Sequence, residues 1–196
     1  MNFKPILIVP GEEKSIFFEI FFKSVKSKKF ISPLILICNK KILEKEINKY
    51  KFYKNIELIE NDKIYNKKIR NRNIYFINIK NSSSKDYIHN CFRAAFQIIK
   101  RGLTDKLING PINKSKTLRR KYPGMTEYIS KNFNEKKFAM LIYNNKLSVS
   151  PITTHLPLKM VTKKITKKLI TEKIMIINTF YNQKLGFKPK IGVVGL

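Results

Sequence analysis

The sequence predicts an α/β protein whose mixed open sheet is flanked by helices. Two observations carry this. Short apolar runs rich in Ile, Leu and Val alternate with longer stretches of helical periodicity along the whole chain, the pattern of an open sheet with crossover helices. Two further apolar runs meet across Asn144-Asn145, where a tight turn adds an antiparallel hairpin and makes the sheet mixed.

Taken in order, "KPILIVP" (4–10) reads as a strand, and "SIFFEIFFKSVKS" (15–27) as a helix apolar almost all round and hence well buried. "PLILIC" (33–38) is a second strand, with a Lys/Glu-rich helix over about 40–50 after it. "IELIE" (56–60) and "IYFINI" (74–79) are strand candidates on either side of "NDKIYNKKIRNRN" (61–73), an exposed connection. A helix capped from Ser84 carries Ile88, Cys91, Phe92, Ala95, Ile98 and Ile99 on one stripe and ends near Gly102. "KLING" (106–110) is a short strand broken at Gly110-Pro111. "KFAMLIYN" (137–144) and "KLSVSPIT" (146–153) form the hairpin, a long helix covers about 166–185, and "KIGVVGL" (190–196) is a last strand.

The chain has 196 residues, enough for one domain with a substantial core or for one lobe of something larger, and its 43% hydrophobic content marks it as globular. Lys and Arg number 41 against 13 Asp and Glu, a formal net charge of +28. Such a balance raises a basic nucleic-acid-binding module as a competing class. Only six of the cations are arginine, the better bidentate reader of phosphates and bases, and the lysines run along the whole chain with Ile, Asn, Phe and Tyr. Residues with A/T-rich codons dominate, so the charge reads as genome composition, dispersed, with no specific nucleic-acid partner. Cys38 and Cys91 show no metal or redox spacing and read as small buried hydrophobes in a reducing cytosol. No run approaches the roughly 18 apolar residues of a membrane span, and "MNFKPILIVPG" is too short and too soon broken for a signal peptide. The expectation is a cytoplasmic protein without a membrane partner.

Three polar clusters could carry chemistry. "NGPINKS" (109–115) follows a strand: Gly110-Pro111 turns the chain, Asn113 can cap the next helix, and Lys114 at that helix's start is unfavourable unless an anion is near. An anionic ligand and a simple capped turn both satisfy that pattern. In "YPGMTEYIS" (122–130), Thr126 lies at the start of an amphipathic helix carrying Met125, Tyr128, Ile129 and Phe133, where a threonine serves as a cap or as a phosphate contact. "TTHLPL" (153–158) places His155 at a strand end. A lone histidine there is commonly structural, and a metal site asks for about three protein ligands. The other histidine, His89, lies off a helix's apolar stripe and reads as exposed and inert. No P-loop, glycine-rich dinucleotide fingerprint or nucleophile triad is present.

In that order the three clusters resemble the 4-hydroxythreonine-4-phosphate dehydrogenase family of vitamin B6 biosynthesis. "NGPINKSKTL" is similar to its (T/A)-A-P-I-N-K segment, "PGMTEYIS" to P-G-H-T-E-(F/Y)-(L/I), and "SVSPITTHLPLKMVTKKIT" to the segment built around T-T-H-(L/I)-P-L. "KPKIGVVGL" resembles the strand that runs into N-P-H-(A/C)-G-E, and "VPGEEKSIFFEI" resembles G-D-P-A-G-I-G-P-E, keeping Gly11, Ile16 and Glu19 with an acid at Glu12. Glu13, Ser15 and Phe17 stand where that motif has Pro and two Gly, which marks a divergent member.

The resemblance implies an isocitrate/isopropylmalate dehydrogenase-like fold, truncated, with residues 1–196 as the front part of a two-lobed homodimeric enzyme and the rest of the second lobe beyond 196. It implies NAD-dependent oxidation of a phosphorylated small-molecule substrate, 4-phosphooxy-threonine, followed by loss of CO2, with a divalent metal cation (Zn, Mg or Co) polarising the alcohol. By position His155 matches the first of three metal-binding histidines, and Thr126 a substrate-contacting threonine. Met125 stands where the family has a substrate-contacting histidine; that departure leaves open a related dehydrogenase for a phosphorylated four-carbon sugar acid, or an inactive member. Lys114 matches the motif lysine. No catalytic or NAD-contacting residue is assigned.

Overall fold

The computed structural model describes residues 3–66, 68–80, 86–118 and 121–195. The chain divides into two compact units, Met1–Arg119 and Arg120–Leu196, a division that the composition does not announce.

In the first unit the elements are β1 (Ile6–Val9), α1 (Phe17–Ser27), β2 (Leu34–Cys38), α2 (Lys40–Lys49), β3 (Ile56–Leu58), β4 (Ile74–Asn78), α3 (Tyr87–Lys100), β5 (Leu107–Asn109) and α4 (Lys114–Thr117). Five strands make one sheet in the order β3-β4-β2-β1-β5, every neighbouring pair parallel, with Leu7 beside Leu107 and Ile35 beside Tyr75. Parallel strands are covered on both faces. All five residues of β2 are accordingly buried, which is why "LILIC" lacks a polar alternate.

Strand alternation then sorts the two faces. Ile8, Leu34, Leu36, Ile74 and Phe76 share a cluster with Phe17, Phe18, Phe21, Phe22 and Val25 of α1, and Phe22 stacks on Phe52 at 4.4 Å. Helix α1 is buried along that stripe, while Ile20 is 54% exposed, so the helix is one-sided rather than buried all round. Across the sheet, α3 lies on β1 and β2 and buries Ile88, Cys91, Phe92, Ala95 and Ile98, the predicted stripe except Ile99, together with Tyr87. The predicted cap at Ser84 lies outside the described residues. Asn39 caps α2 through Lys41 N at 2.9 Å and Ile42 N at 3.4 Å, and its own N–H donates to the Tyr87 hydroxyl at 2.9 Å. The connection over 61–73 is not wholly exposed: a 3-10 turn at Lys63–Tyr65 buries Ile64. His89 is half-buried rather than exposed.

The second unit holds α5 (Met125–Asn132), α6 (Leu158–Lys164) and α7 (Lys167–Phe180), the last continuing into a π-helical segment, Tyr181–Leu185, closed by Gly186 at φ +78°. Thr166 caps α7, accepting from Leu169 N at 3.1 Å. The expected hairpin contracts to a single antiparallel bridge between Ile142 and Val149, so the sheet is wholly parallel rather than mixed. Its turn is closed by side chains, Asn144 N donating to Ser148 Oγ and Lys146 N to Asn144 Oδ1. Ile142, Leu147 and Val149 are all more than half exposed, and a two-stranded ribbon that leaves so much apolar surface open does not extend its ladder. Residues 190–195 form no strand, because no described segment pairs with them. Among the described residues no helix is long and apolar enough to cross a membrane.

Candidate functional site

In an open α/β sheet the crevice where strand order reverses is the usual ligand position, here the carboxyl ends of β1 and β5. The backbone closes it. A Cβ on Gly110 would land on the Pro10 carbonyl, and one on Gly11, at φ +85°, on the Pro111 carbonyl, so the two loops touch without room for side chains. Glu12 fills what remains: its N–H donates to Pro111 O at 2.9 Å, and its Oε1 accepts from Asn113 N at 3.0 Å and Thr117 Oγ1 at 3.3 Å. The negative partner of the α4 start is therefore the protein's own carboxylate, while Lys114 is exposed. Asn113 Oδ1 accepts from the Ser115 hydroxyl at 2.7 Å. Of the two readings of "NGPINKS", the structure supports the ordered turn.

The second unit brings the other two clusters together. Pro123-Gly124 turns the chain into α5, with Gly124 as its extended N-cap, so Met125 and Thr126 occupy the first turn. Both are half-buried, and the Thr126 hydroxyl makes no hydrogen bond among the described residues. His155 does not end a strand. It lies in the loop between Val149 and α6, exposed, with φ +53°, a left-handed conformation that costs a non-glycine residue of order 1–3 kcal/mol unless neighbours hold it.

One neighbour that holds the loop is Glu127, which sequence reasoning did not single out. Its Oε1 accepts from Thr154 Oγ1 at 2.7 Å, tying the first turn of α5 to the residue before His155. Its Oε2 is buried and has no hydrogen-bond partner among the described residues. A Cβ on Gly124 would lie 2.7 Å from His155 Nε2 and 2.8 Å from Glu127 Oε2, so imidazole and carboxylate flank one small space that only glycine leaves open. The available signal was Glu127 three residues after an N-cap, a position that ordinarily reaches back to the cap; here the side chain reaches forward to another loop.

An exposed imidazole beside a buried carboxylate oxygen fits a cation-binding histidine, since such ligands are commonly backed by carboxylates. Among the described residues no group of three or more His, Cys, Asp and Glu gathers, so these residues by themselves do not complete a metal site. A dinucleotide phosphate loop does not fit after β1, where Gly11 faces backbone.

A model of the family described as pyridoxal phosphate biosynthetic protein PdxA matches residues 29–196. Among curated relatives, a 4-hydroxythreonine-4-phosphate dehydrogenase of a Sulfurihydrogenibium species is 32% identical over 209 residues, covering 97% of this chain and 62% of its own length. A D-threonate 4-phosphate dehydrogenase of Salmonella typhimurium is 27% identical over 113 residues, 57% of this chain and 35% of that one. The crystal structure of 4-hydroxythreonine-4-phosphate dehydrogenase from Klebsiella pneumoniae shares the fold, with TM-score 0.73, 23% identity, and coverage of 91% of this chain and 58% of that one. The chain thus spans about 62% of the first relative's length.

Proposed function

The chain belongs to the family of the pyridoxal phosphate biosynthetic protein PdxA, and we propose from this that it forms the front part of an NAD-dependent 4-hydroxythreonine-4-phosphate dehydrogenase. The substrate's secondary alcohol is oxidised to a ketone, the carbinol hydride passing to NAD and the hydroxyl proton to solvent, and the resulting β-keto acid loses CO2 and takes up a proton at the α-carbon to leave 3-amino-2-oxopropyl phosphate. A bound divalent cation, Zn, Mg or Co, supplies Lewis acidity at the alcohol oxygen. His155 is the cation ligand this chain contributes, Thr126 offers its hydroxyl to the phosphorylated substrate, and Met125 packs beside it without donating a hydrogen bond. The working enzyme is a cytoplasmic homodimer whose NAD contacts and further metal ligands come from residues outside this chain's described clusters.

The observation that carries this reading is the Glu127–Thr154 bond, which places the Thr126 helix start and the His155 loop side by side. NADH formation with 4-phosphooxy-threonine and a divalent cation tests it: activity in the wild-type enzyme that His155→Ala abolishes is the expected result, and full activity in that variant refutes it. Met125 favours a second reading, oxidation of a phosphorylated four-carbon sugar acid; D-threonate 4-phosphate in the same assay decides between them.

A further inference from the structure

The Glu127 carboxylate has two oxygens with unlike surroundings. Oε1 holds Thr154, and Oε2 is buried with no partner among the described residues. An unpaired buried carboxylate oxygen is costly, and a donor brought within reach relieves that cost. Across the space above Gly124, Oε2 faces His155 Nε2, the two atoms lying 2.8 Å and 2.7 Å from the same point without being hydrogen-bonded to each other in the structure. Thr154 fixes the loop one residue before His155, whose own backbone is left-handed.

We infer that Glu127 is a positioning residue: its Oε2 accepts the Nε2–H of His155, fixing the imidazole in one tautomer with Nδ1 unprotonated and directed away from the carboxylate. Gly124 is the residue that makes this possible, because any side chain would stand between the two groups. A hydrogen bond at one ring nitrogen sets which nitrogen is left to coordinate a metal or accept a proton. The inference deepens the proposed role of His155 and rests on that reading only for the purpose of the free Nδ1.

The test needs neither metal nor substrate, so its failure is separable from failure of the dehydrogenase reading. With two histidines in the chain, 15N-labelled side-chain spectra at about pH 8.5, some two units above the ordinary imidazole value, report His155 directly, with His155→Ala giving the assignment. Wild type should show the Nε2-protonated tautomer. Glu127→Gln keeps the Thr154 bond through its carbonyl but presents an amide N–H to the ring. It should therefore lower the ratio of Nε2–H to Nδ1–H on the order of tenfold. Should that variant fail to fold, Gly124→Ala retains the carboxylate and separates it from the ring, and the protected Nε2–H signal should be lost. A ratio unchanged by Glu127→Gln, or an Nε2–H signal that persists in Gly124→Ala, overturns the inference.

Discussion

Glu12 and Asn113 are bonded across 101 residues of sequence, the Glu12 carboxylate accepting the Asn113 N–H at 3.0 Å and so joining the loop after β1 to the loop after β5. Charge-assisted bonds of this kind contribute about 1.5–3 kcal/mol. Glu12→Ala should lower the stability of the first unit by that amount, and Glu12→Gln by less. Urea unfolding followed by circular dichroism measures both, and a midpoint unmoved by Glu12→Ala would show that the bond is not formed in solution.

Gly110→Ala should be more damaging, because the new methyl would occupy the position of the Pro10 carbonyl and lie 2.7 Å from Phe17 Cδ2. Backbone cannot rotate aside as a side chain does, and overpacking costs typically about 1–3 kcal/mol and sometimes more. The expected outcome is a drop in the thermal midpoint larger than that of Gly102→Ala, where a methyl meets nothing although φ is +80°.

Thr126→Ala in the complete enzyme should lower kcat/KM by about 1–3 kcal/mol of transition-state binding, the penalty for an unpaired polar partner. An unchanged kcat/KM would remove Thr126 from the site.

Burial pushes the Cys91 thiol up to about 12 and Cys38 further still. The folded state therefore holds both protons after the unfolded chain has released them. Their contribution to stability is complete below the ordinary thiol value, about 8.5, and declines as pH rises towards 12. Ellman's reagent at pH 8 should find neither thiol in the native protein and both in denaturant; rapid native labelling would contradict the burial.

The basic hollow lined by Lys26, Lys28, Lys29, Lys54 and Arg72 should bind no nucleic acid selectively. Lys54 donates to the Val25 carbonyl and Lys26 to the Lys51 carbonyl, so these cations serve carbonyls of the chain itself, the first in the last turn of α1. Fluorescence anisotropy with oligonucleotides at physiological salt should give only weak binding that falls steeply as salt is added; a sequence-selective complex would refute this.

What could be read from sequence follows the strength of the local pattern. Strand β2 was legible because five consecutive buried residues tolerate no polar alternate, and α3 because its stripe repeats through four turns. The hairpin over 137–153 carries the same apolar alternation, but alternation marks two faces without saying how far anything covers them, and here Tyr181 and Lys173 reach Tyr143, Ser148 and Phe138 while Ile142, Leu147 and Val149 stay more than half exposed. At the site, residue type pointed to His155 and Thr126. The Glu127 link to Thr154 was not legible, since it depends on how a helix start and a loop 27 residues further on converge.

Strand order has a temporal meaning as well. Strands β1 and β2 can pair once residue 38 exists, whereas β5 docks on the open flank of β1 through Leu107–Asn109. Loop-closure entropy rises only slowly with length, so the delay is one of supply rather than of free energy. On a translating ribosome the amino-terminal strand would sit half-paired, its outer ladder unsatisfied, for as long as some seventy residues take to emerge, roughly 4–14 s at ordinary elongation rates. During that interval the nascent sheet has an unpaired strand edge that chaperones can reach and the finished unit conceals.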